Sequence, residues 1–524
     1  MVATSQPLAT SVGLEVLSKG GNAADAAVAC VAALNVTEPT ATGIGGDMFA
    51  LYFDAQTRQV TALNGSGRAP AALTLDRLRK EGITSDELPT FHAHTVTVPG
   101  ACAGWCDLIE RHGSRSMSEI LTPAIRLADE GFPVAPLTSY FWARGVDRQL
   151  KSALNGCELT IDGRAPAAGE IFRNPGLART LSIIAHDNKQ GFYRGQIAES
   201  IVGVVKEAGG CLSLEDLAAH ASTWETPLSV TYRSLRVNEC PPSGQGIAAL
   251  MALNILEGFD LASLPSLSTE RMHLMIEAMR LAFADARWYV ADPTFSRVPV
   301  EELLSKEYAQ ERRKLIDRRR ATIDPKRGTP VASSSTVYLS VVDKFDNACS
   351  FINSNYWGFG SGIVPKGWGF TLQNRGHNFS LNPHHPNALA PCKRPYHTII
   401  PAMVTRESDD SLYASYGVMG GFMQPQGHVQ VLSALTDDKL DPQSALDLPR
   451  FCINVEEAGG RVAIEEGTPQ QTVDGLKEMG HPVYEVTGHE RALFGRGQII
   501  LRDAQTEVMC AGSDPRADGC AMTL

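Results

Sequence analysis

Thr336 stands where a polar segment gives way to a strand-like one. The residues before it, Asp324–Ser335, are small or polar and lack apolar periodicity, which is typical of an exposed loop. From Thr336 to Asp343 the residues are mostly β-branched or aromatic and predict a buried strand. If the chain were cut before Thr336, its hydroxyl would lie beside its own free α-amine, which can activate it as a nucleophile. Threonine also begins many strands for its β-propensity alone, so this pattern needs support from the rest of the chain.

Support comes from short motifs that run in one order along the whole chain. They are Gly20–Ala27, Gly43–Asp47, Val98–Gly100, Pro241–Ser243, Lys393–Pro395, Gly420–Gly421 and Gly512–Arg516. In this order and spacing the chain resembles the γ-glutamyltranspeptidase family. The resemblance implies the N-terminal-nucleophile hydrolase fold, a four-layer α/β/β/α sandwich with two antiparallel sheets face to face. It also implies that Thr336 is the nucleophile of a small subunit, released when one precursor cuts itself after Ser335 into two chains.

The catalytic set implied by the resemblance includes a glycine pair and a second hydroxyl. Gly420 and Gly421 follow a strand-like run and precede a helix-like one, so their N–H groups suit an oxyanion that forms on an attacked carbonyl. Considered alone, the two glycines are better explained by a plain strand–helix turn, and it is the resemblance that favours the oxyanion hole. Ser354, on the predicted second strand, stands where the family has a threonine that hydrogen-bonds the nucleophile, and a serine keeps that hydroxyl.

The substrate-binding positions differ from those of the γ-glutamyl enzymes. Where the family has an arginine that holds the glutamyl α-carboxylate, this chain has Ser66, and an arginine follows two residues later at Arg68. Because side chains alternate along a strand, we expect Arg68 to point to the same face. The serine pair that also holds the carboxylate is replaced by His397 and Thr398. The aspartate that holds the α-amine is replaced by Asn378.

These replacements change the expected acyl group. Tyr356 stands where the family has an asparagine that helps to hold the glutamyl group, and Arg375 lies just before Asn378. Loss of the aspartate removes the charge partner of an α-ammonium, and charge-assisted hydrogen bonds are the strong ones. With Arg68 and His397, these residues favour an anionic or carbonyl-rich acyl group. The resemblance is closest to the γ-glutamyltranspeptidase-like branch, which includes oxamate amidohydrolase and cephalosporin acylases.

Composition excludes several classes of function. The net charge of −11 is modest for 524 residues and argues against nucleic-acid or anionic-membrane partners. No run approaches the roughly 20 apolar residues of a membrane helix. The first residues lack the basic and apolar regions of a signal peptide, so we expect a cytoplasmic protein, with a trimmed leader left open. The 11 cysteines have no zinc or disulfide spacing and are expected to be buried thiols.

No metal or organic cofactor is expected. His92 and His94, and the neighbours His384 and His385, have no carboxylate or third histidine at ligand spacing, so we read them as surface or structural residues. The motif Gly43–Asp47 follows a helix and precedes a strand, which is the wrong order for a phosphate loop. A tight turn near the active site is the preferred interpretation of this motif.

The organisation of the chain follows from where strands and helices are expected. Strands are predicted near both ends, and helices dominate from about Cys102 to Leu315. Residues 1–335 and 336–524 are therefore expected to form a large and a small segment, interwoven as one domain. After cleavage they would remain together as a heterodimer, with a higher oligomer left open.

The sequence thus predicts a self-processing N-terminal-threonine amidohydrolase or acyltransferase. A γ-glutamyl amide such as glutathione is the first substrate to consider, by hydrolysis or by transfer to an amine. An acylase or amidohydrolase for another short carboxyl-bearing amide, of oxamate or glutaryl type, is the alternative. A non-catalytic ligand-binding relative is the third hypothesis, which the intact nucleophile and glycine pair disfavour.

Overall fold

Two antiparallel sheets face each other at the centre of the molecule. The computed structural model describes residues 1–323, 335–454 and 460–524, so the predicted linker, residues 324–334, lies outside the described residues. The strands are β1 Val2–Thr4, β2 Asp47–Asp54, β3 Gln59–Gly65, β4 Phe132–Pro133, β5 Ile171–Phe172, β6 Thr223–Glu225, β7 Leu228–Tyr232, β8 Leu235–Glu239, β9 Ser335–Val342, β10 Ala348–Tyr356, β11 Ala402–Arg406, β12 Leu412–Met419, β13 Phe451–Asn454, β14 Arg461–Glu465, β15 Val483–Val486, β16 Arg496–Arg502, β17 Met509–Ser513 and β18 Cys520–Met522.

The order of the strands shows that both sheets combine the two ends of the chain. The first sheet runs β18-β1-β9-β10-β2-β3-β6 and the second runs β17-β16-β12-β11-β8-β7. Strands from before and after Ser335 therefore lie hydrogen-bonded side by side in each sheet. Two smaller sheets, β13-β14-β15 and β4-β5, lie outside this pair.

Helices make up most of the rest of the described chain. They are α1 Pro7–Ser18, α2 Ala23–Thr37, α3 Leu75–Lys80, α4 Ala101–His112, α5 Met117–Glu130, α6 Pro136–Gly145, α7 Pro175–Tyr193, α8 Gly195–Glu207, α9 Leu214–Ala218, α10 Gly246–Leu256, α11 Thr269–Tyr289, α12 Val300–Leu303, α13 Lys306–Arg313, α14 Met423–Thr436, α15 Pro442–Asp447 and α16 Gln470–Glu478. The α2 helix, rich in alanine, is buried along its whole length, and Asn22 and Asp25 form a capping box at its start.

Three apolar cores separate the four layers. One lies between the sheets and includes Phe49, Tyr338 and Ile352 from the first sheet and Met403 and Ile500 from the second. A second packs α2, α4, α5 and α7 on the outer face of the first sheet. A third packs α10, α11 and α14 on the outer face of the second sheet. The predicted α/β/β/α sandwich is thus confirmed.

The secondary structure departs from expectation in one region. Strands β6, β7 and β8 lie between residues 223 and 239, inside the stretch where helices were expected to dominate. These strands are short, three to five residues, and two of them complete one edge of the second sheet. β7 and β8 form a hairpin, but β6 pairs with β3 and β8 with β11, both distant in sequence, so a local pattern carries little of the information that places them in the sheets. Within the described residues, no helix is long and apolar enough to cross a membrane.

The inter-sheet core supplies a direct test of close packing near the start of β9. A Cβ at Gly417 would lie 2.5 Å from Cε2 of Tyr338. We therefore expect Gly417→Ala to destabilise the protein by about 1–3 kcal/mol through overpacking, seen as a lower midpoint of thermal unfolding. Gly203→Ala, in the interior of α8 with nothing within 4 Å of the new methyl, is the matched control and should be neutral or stabilising. Equal stability of Gly417→Ala and the wild type would contradict this packing.

Candidate active site

Thr336 is the second residue of β9 and is fully buried. The chain is described in its uncut form, in which the backbone of Ser335 pairs with Tyr356 on β10. The hydroxyl of Thr336 donates a hydrogen bond of 3.2 Å to Ser354 Oγ on the same neighbouring strand. In this state the nitrogen of Thr336 is part of a peptide bond, so the amine base predicted for the mature enzyme does not yet exist.

Ser354 lies at an irregularity of β10. Asn353 pairs with Val337 but Tyr356 pairs with Ser335, so β10 carries one extra residue opposite Thr336. A bulge of this kind re-aims a side chain and is common beside active sites. Ser354 Oγ accepts a second hydrogen bond from the N–H of Tyr356, at 2.8 Å, and Tyr356 has a φ of 78°. The bulge thus fixes the hydroxyl that faces the candidate nucleophile.

Arg375 links Ser354, on the first sheet, to Thr398, which lies just before β11 of the second sheet. It begins a short 3₁₀ turn, Arg375–Asn378, and its guanidinium is completely buried. One terminal nitrogen donates to Ser354 Oγ at 3.2 Å and the other to Thr398 Oγ1 at 2.7 Å. Burial lowers the pKa of Arg375 to about 10, against the opposite effect of Asp47. The group therefore stays protonated at neutral pH and places a positive charge beside the Ser354 hydroxyl.

Asp47, the last residue of a glycine-rich turn, is the carboxylate nearest to this charge. Its Oδ2 lies 4.0 Å from Arg375 Nε and accepts a 3.1 Å hydrogen bond from His397 Nε2. Its Oδ1 accepts from the backbone N–H groups of Gly67 and Gly100, at 2.9 and 3.2 Å. The predicted tight turn near the site thus delivers a fully buried acidic side chain. We did not single out Asp47 from the sequence, although an aspartate at the start of a fully apolar strand was a usable signal.

His397 is neutral and fully engaged within the protein. Burial, followed by the charge of Arg375, lowers its pKa to about 3. Its Nε2–H donates to Asp47, and its Nδ1 accepts a long 3.4 Å hydrogen bond from the N–H of Ile399. Both ring nitrogens therefore have partners, and the geometry gives His397 a part in positioning Asp47. A direct contact between His397 and a substrate carboxylate stays a prediction.

The predicted oxyanion glycines occupy the turn between β12 and α14. Gly420 has a φ of 134° and Gly421 a φ of 61°, a conformation that side chains rarely adopt. The carbonyls of both glycines accept the first N–H groups of the α14 turn, from Met423 and Gln424. Neither glycine N–H has an acceptor among residues 1–323, 335–454 and 460–524. Two adjacent N–H groups are thus left for an external oxygen.

Contacts between β9 and β12, which lie in facing sheets, indicate where Thr336 lies relative to this turn. Ser340 on β9 lies opposite Ser415 on β12, with 2.5 Å between their hydroxyl oxygens. Two residues earlier on the same face, the Tyr338 ring lies over Gly417. Two residues earlier again, Thr336 is directed to the end of β12, where the glycine pair begins. Strand alternation therefore predicts that the candidate nucleophile lies near the candidate oxyanion hole.

Gln245 links Thr398 to the glycine turn. Its Nε2 donates to the carbonyl oxygens of Thr398, at 2.6 Å, and Gly421, at 2.8 Å. A continuous hydrogen-bonded path thus runs from Thr336 through Ser354, Arg375, Thr398 and Gln245 to Gly421. Sequence reasoning missed Gln245, although it follows the recognised Pro241–Ser243 motif by two residues.

A cavity of about 240 Å³ adjoins this path. Its lining includes Tyr356, Asn378, Phe422, Arg287 and Glu87. Tyr356 follows Ser354 by two residues and Phe422 follows Gly421, so the cavity is lined by close sequence neighbours of the residues on the path. The amide nitrogen of Asn378 is buried and has no acceptor among the described residues. Burial raises the pKa of Glu87, a carboxylate that sequence reasoning did not place here.

Arg68 lies differently from the expectation. β3 ends at Gly65, so the alternation of a strand does not extend to Arg68, and that part of the prediction is wrong. The side chain is half-buried, and its Nη1 lies 3.4 Å from the carbonyl of Ala221. The carbonyl of Ser66 is instead bound by the buried Arg394. Contact of Arg68 with a substrate stays a prediction.

Breaking the buried Asp47–Arg375 pair should destabilise the protein. In Asp47→Asn the neutral side chain would leave the buried guanidinium without its counter-charge, so we expect a loss of about 3–5 kcal/mol in the free energy of unfolding. Thermal and denaturant unfolding would measure it. Asp147→Asn removes one partner of an exposed ion pair with Lys151 and should leave the unfolding midpoint unchanged. Equal midpoints for the two variants would show that the buried pair is not coupled.

Comparison with known proteins identifies relatives along the whole chain. The family model described as gamma-glutamyltranspeptidase matches residues 9–524. The glutathione hydrolase-like YwrD proenzyme of Bacillus subtilis is 36% identical over 527 residues, covering 100% of this chain and 98% of that protein. The oxamate amidohydrolase proenzyme of Klebsiella pneumoniae is 30% identical, covering 99% of this chain and 98% of that protein.

A solved structure agrees with the sequence comparisons. The cephalosporin acylase from Bacillus halodurans superposes with a TM-score of 0.91 and 45% identity, covering 99% of this chain and 94% of the acylase. The similarity therefore includes both sheets and the helical layers that enclose them. This chain belongs to the gamma-glutamyltranspeptidase family, hydrolase proenzymes with the N-terminal-nucleophile fold.

Proposed function

We propose that this protein is a self-processing amidohydrolase whose nucleophile is Thr336. The observation that carries the proposal is the hydrogen-bonded path from the Thr336 hydroxyl to Gly421, which joins a nucleophile to a turn with two unused N–H groups. A hydroxyl, a polarising partner and preorganised donors are what acyl transfer needs. Membership of a family of hydrolase proenzymes supports the same conclusion.

The first reaction is cleavage of the precursor. The hydroxyl of Thr336 attacks the carbonyl carbon of Ser335, the peptide C–N bond breaks, and the hydroxyl proton passes to the departing nitrogen. An ester between Ser335 and the Thr336 oxygen results. Water then hydrolyses this ester, leaving a carboxylate on Ser335 and a free amine on Thr336. The two fragments stay together as a heterodimer because both sheets draw strands from each.

The second reaction is cleavage of the substrate. The free amine of Thr336 takes the proton from its own hydroxyl as the oxygen attacks the amide carbonyl. The N–H groups of Gly420 and Gly421 hold the negative charge that develops on the carbonyl oxygen. The proton then passes to the leaving amine, an ester to Thr336 remains, and water or an amine acceptor resolves it. The charge of Arg375 keeps the Ser354 hydroxyl oriented toward the nucleophile.

For the acyl group we propose a short chain that ends in a carboxylate, with a γ-glutamyl amide such as glutathione as the first substrate to test. Asn378 and Tyr356 line the cavity beside the nucleophile, and the free amide N–H of Asn378 is a donor suited to a carboxylate or carbonyl oxygen. Arg287 in the same lining adds positive charge.

A glutaryl-type acylase is the second candidate. Asn378 offers no negative charge to an α-ammonium group. An acyl chain that lacks this group therefore loses little binding free energy at this position. The 45% identity to a cephalosporin acylase supports the same direction. Glu87 is the residue in the cavity that argues for the γ-glutamyl substrate, because its carboxylate offers an ammonium partner from another element.

Cleavage between Ser335 and Thr336 is the most direct prediction. The purified wild type should give two bands on a denaturing gel, and mass spectrometry should show a small fragment that begins at Thr336. Thr336→Ala lacks the attacking oxygen and should remain one chain, whereas Thr336→Ser keeps a hydroxyl and should still be cut. Processing that persists in Thr336→Ala would exclude the autocatalytic assignment.

The substrate preference is tested with matched anilides. We expect wild-type kcat/KM for glutaryl anilide to lie within about tenfold of that for γ-glutamyl anilide. Asn378→Asp should shift the preference toward the γ-glutamyl substrate by about 10- to 150-fold, the value of a charge-assisted hydrogen bond of about 1.5–3 kcal/mol.

Two further variants separate the residues of the cavity. Asn382→Asp introduces the same charge at an exposed position in the lining and should leave the preference nearly unchanged. A wild-type preference for the γ-glutamyl substrate above about a thousandfold, abolished in Glu87→Gln, would show that Glu87 holds the ammonium. The role given to Asn378 would then be wrong.

A further inference from the structure

His273, Glu277 and His481 come together in the helical layer outside the second sheet. His273 and Glu277 lie four residues apart on α11 and therefore on one face of the helix. His481 lies just after α16, which packs against α11. All three side chains are at most 3% exposed, and one candidate ligand atom from each lies within 4.8 Å of the others. Among the described residues this is the cluster whose side chains suit a metal ion.

The hydrogen bonds leave lone pairs directed into the cluster. His273 Nε2–H donates to the carbonyl of Asp317 at 2.7 Å, which fixes the ring so that Nδ1 carries a lone pair. That Nδ1 accepts a 2.7 Å hydrogen bond from Nε2–H of His481, so a bound ion would take the place of this proton. One oxygen of Glu277 accepts from the N–H of Thr322, while the other, Oε1, has no donor among the described residues.

The charges in the cluster also favour a cation. Glu277 is a carboxylate that is only 2% exposed, and its Oε1 accepts no hydrogen bond among the described residues. Nδ1 of His481 is buried and has no hydrogen-bond partner among the described residues. Arg280 is the opposing group: its Nε lies 3.7 Å from Glu277 Oε1, and its Nη2 is held by the carbonyl of Gly460. The positive charge of Arg280 would lower the affinity for a cation, but Arg280 does not occupy the position between the three ligand atoms.

We propose that His273, Glu277 and His481 bind a zinc ion. Two imidazoles and one carboxylate are a ligand set that zinc prefers, with a water in the fourth position. Zn–N bonds of about 2.0–2.1 Å at a tetrahedral angle place the two nitrogens about 3.4 Å apart. The two nitrogens, now 2.7 Å apart, must therefore separate by about 0.7 Å, which requires the His481 ring to move on its loop.

The sequence did not reveal this cluster because its residues are distant in sequence. His273 and His481 are separated by 208 residues, and only the pair on α11 has a local spacing. An ion at this place would tie α11 to the loop after α16 and, through the bonds to Asp317 and Thr322, to the chain shortly before the cleavage point. None of these residues belongs to the path around Thr336, so the role is structural.

The direct test is metal content. Wild-type protein, saturated with zinc and dialysed against metal-free buffer, should retain about one equivalent by inductively coupled plasma mass spectrometry. Replacement by cobalt should give the visible absorption of a tetrahedral site. Zinc should raise the thermal midpoint of the wild type, whereas kcat of chelated enzyme, assayed below that midpoint, should be unchanged.

Variants assign the ion to these residues. His273→Gln and His481→Gln should lose the zinc and the thermal shift, and Glu277→Gln should weaken binding less because Arg280 already neutralises part of that charge. His428→Gln is the matched control, since His428 is equally buried and bonded to Glu239 but has no third ligand in the described part of the chain. Zinc that dialyses out of the wild type without a cobalt spectrum, or that is retained equally in all variants, would overturn the proposal.

Discussion

The buried contact between Asp47 and Arg375 is the constraint on which the site depends. A guanidinium without exposure to water needs both a counter-charge and hydrogen-bond acceptors, because an unpaired buried charge is very costly. Asp47 supplies the charge, and the hydroxyls of Ser354 and Thr398 are the acceptors. The energetic need to satisfy Arg375 therefore fixes the hydroxyl that faces the nucleophile.

That requirement also joins elements from distant parts of the chain. Asp47 begins β2, Arg375 lies in a loop after β10, and Thr398 lies just before β11 in the second sheet. Backbone N–H groups of Gly67 and Gly100 bind the same carboxylate, so two further loops converge on it. The candidate nucleophile, the candidate oxyanion turn and the residues that support them are thus held by one network rather than by separate local motifs, and rigid elements give such a site its precision.

The residues that the sequence predicted are marked by local patterns, whereas those that it missed act on residues far away along the chain. Thr336, Ser354 and the glycine pair stand at strand boundaries, where a change of residue pattern is visible within a few positions. Asp47 and Gln245 act on residues 350 and 176 positions away, and no local pattern records such contacts. Arg68 was misplaced because a strand was extended beyond Gly65, where it ends. The fold class followed from the ordered motifs, and the short strands β6–β8 did not.

The mixed composition of the two sheets has a consequence for how the protein is made. In the first sheet β9 lies between β1 and β10, and in the second β11 lies between β8 and β12. A chain that is cut after folding keeps every one of these strand pairs, but the fragments no longer share a covalent connection. Refolding would then become a bimolecular search in which each fragment exposes unpaired strand edges. Denaturation should therefore be harder to reverse for the cleaved pair than for the uncut chain. The peptide bond before Thr336 then matters for folding, which must be complete before that bond is cut.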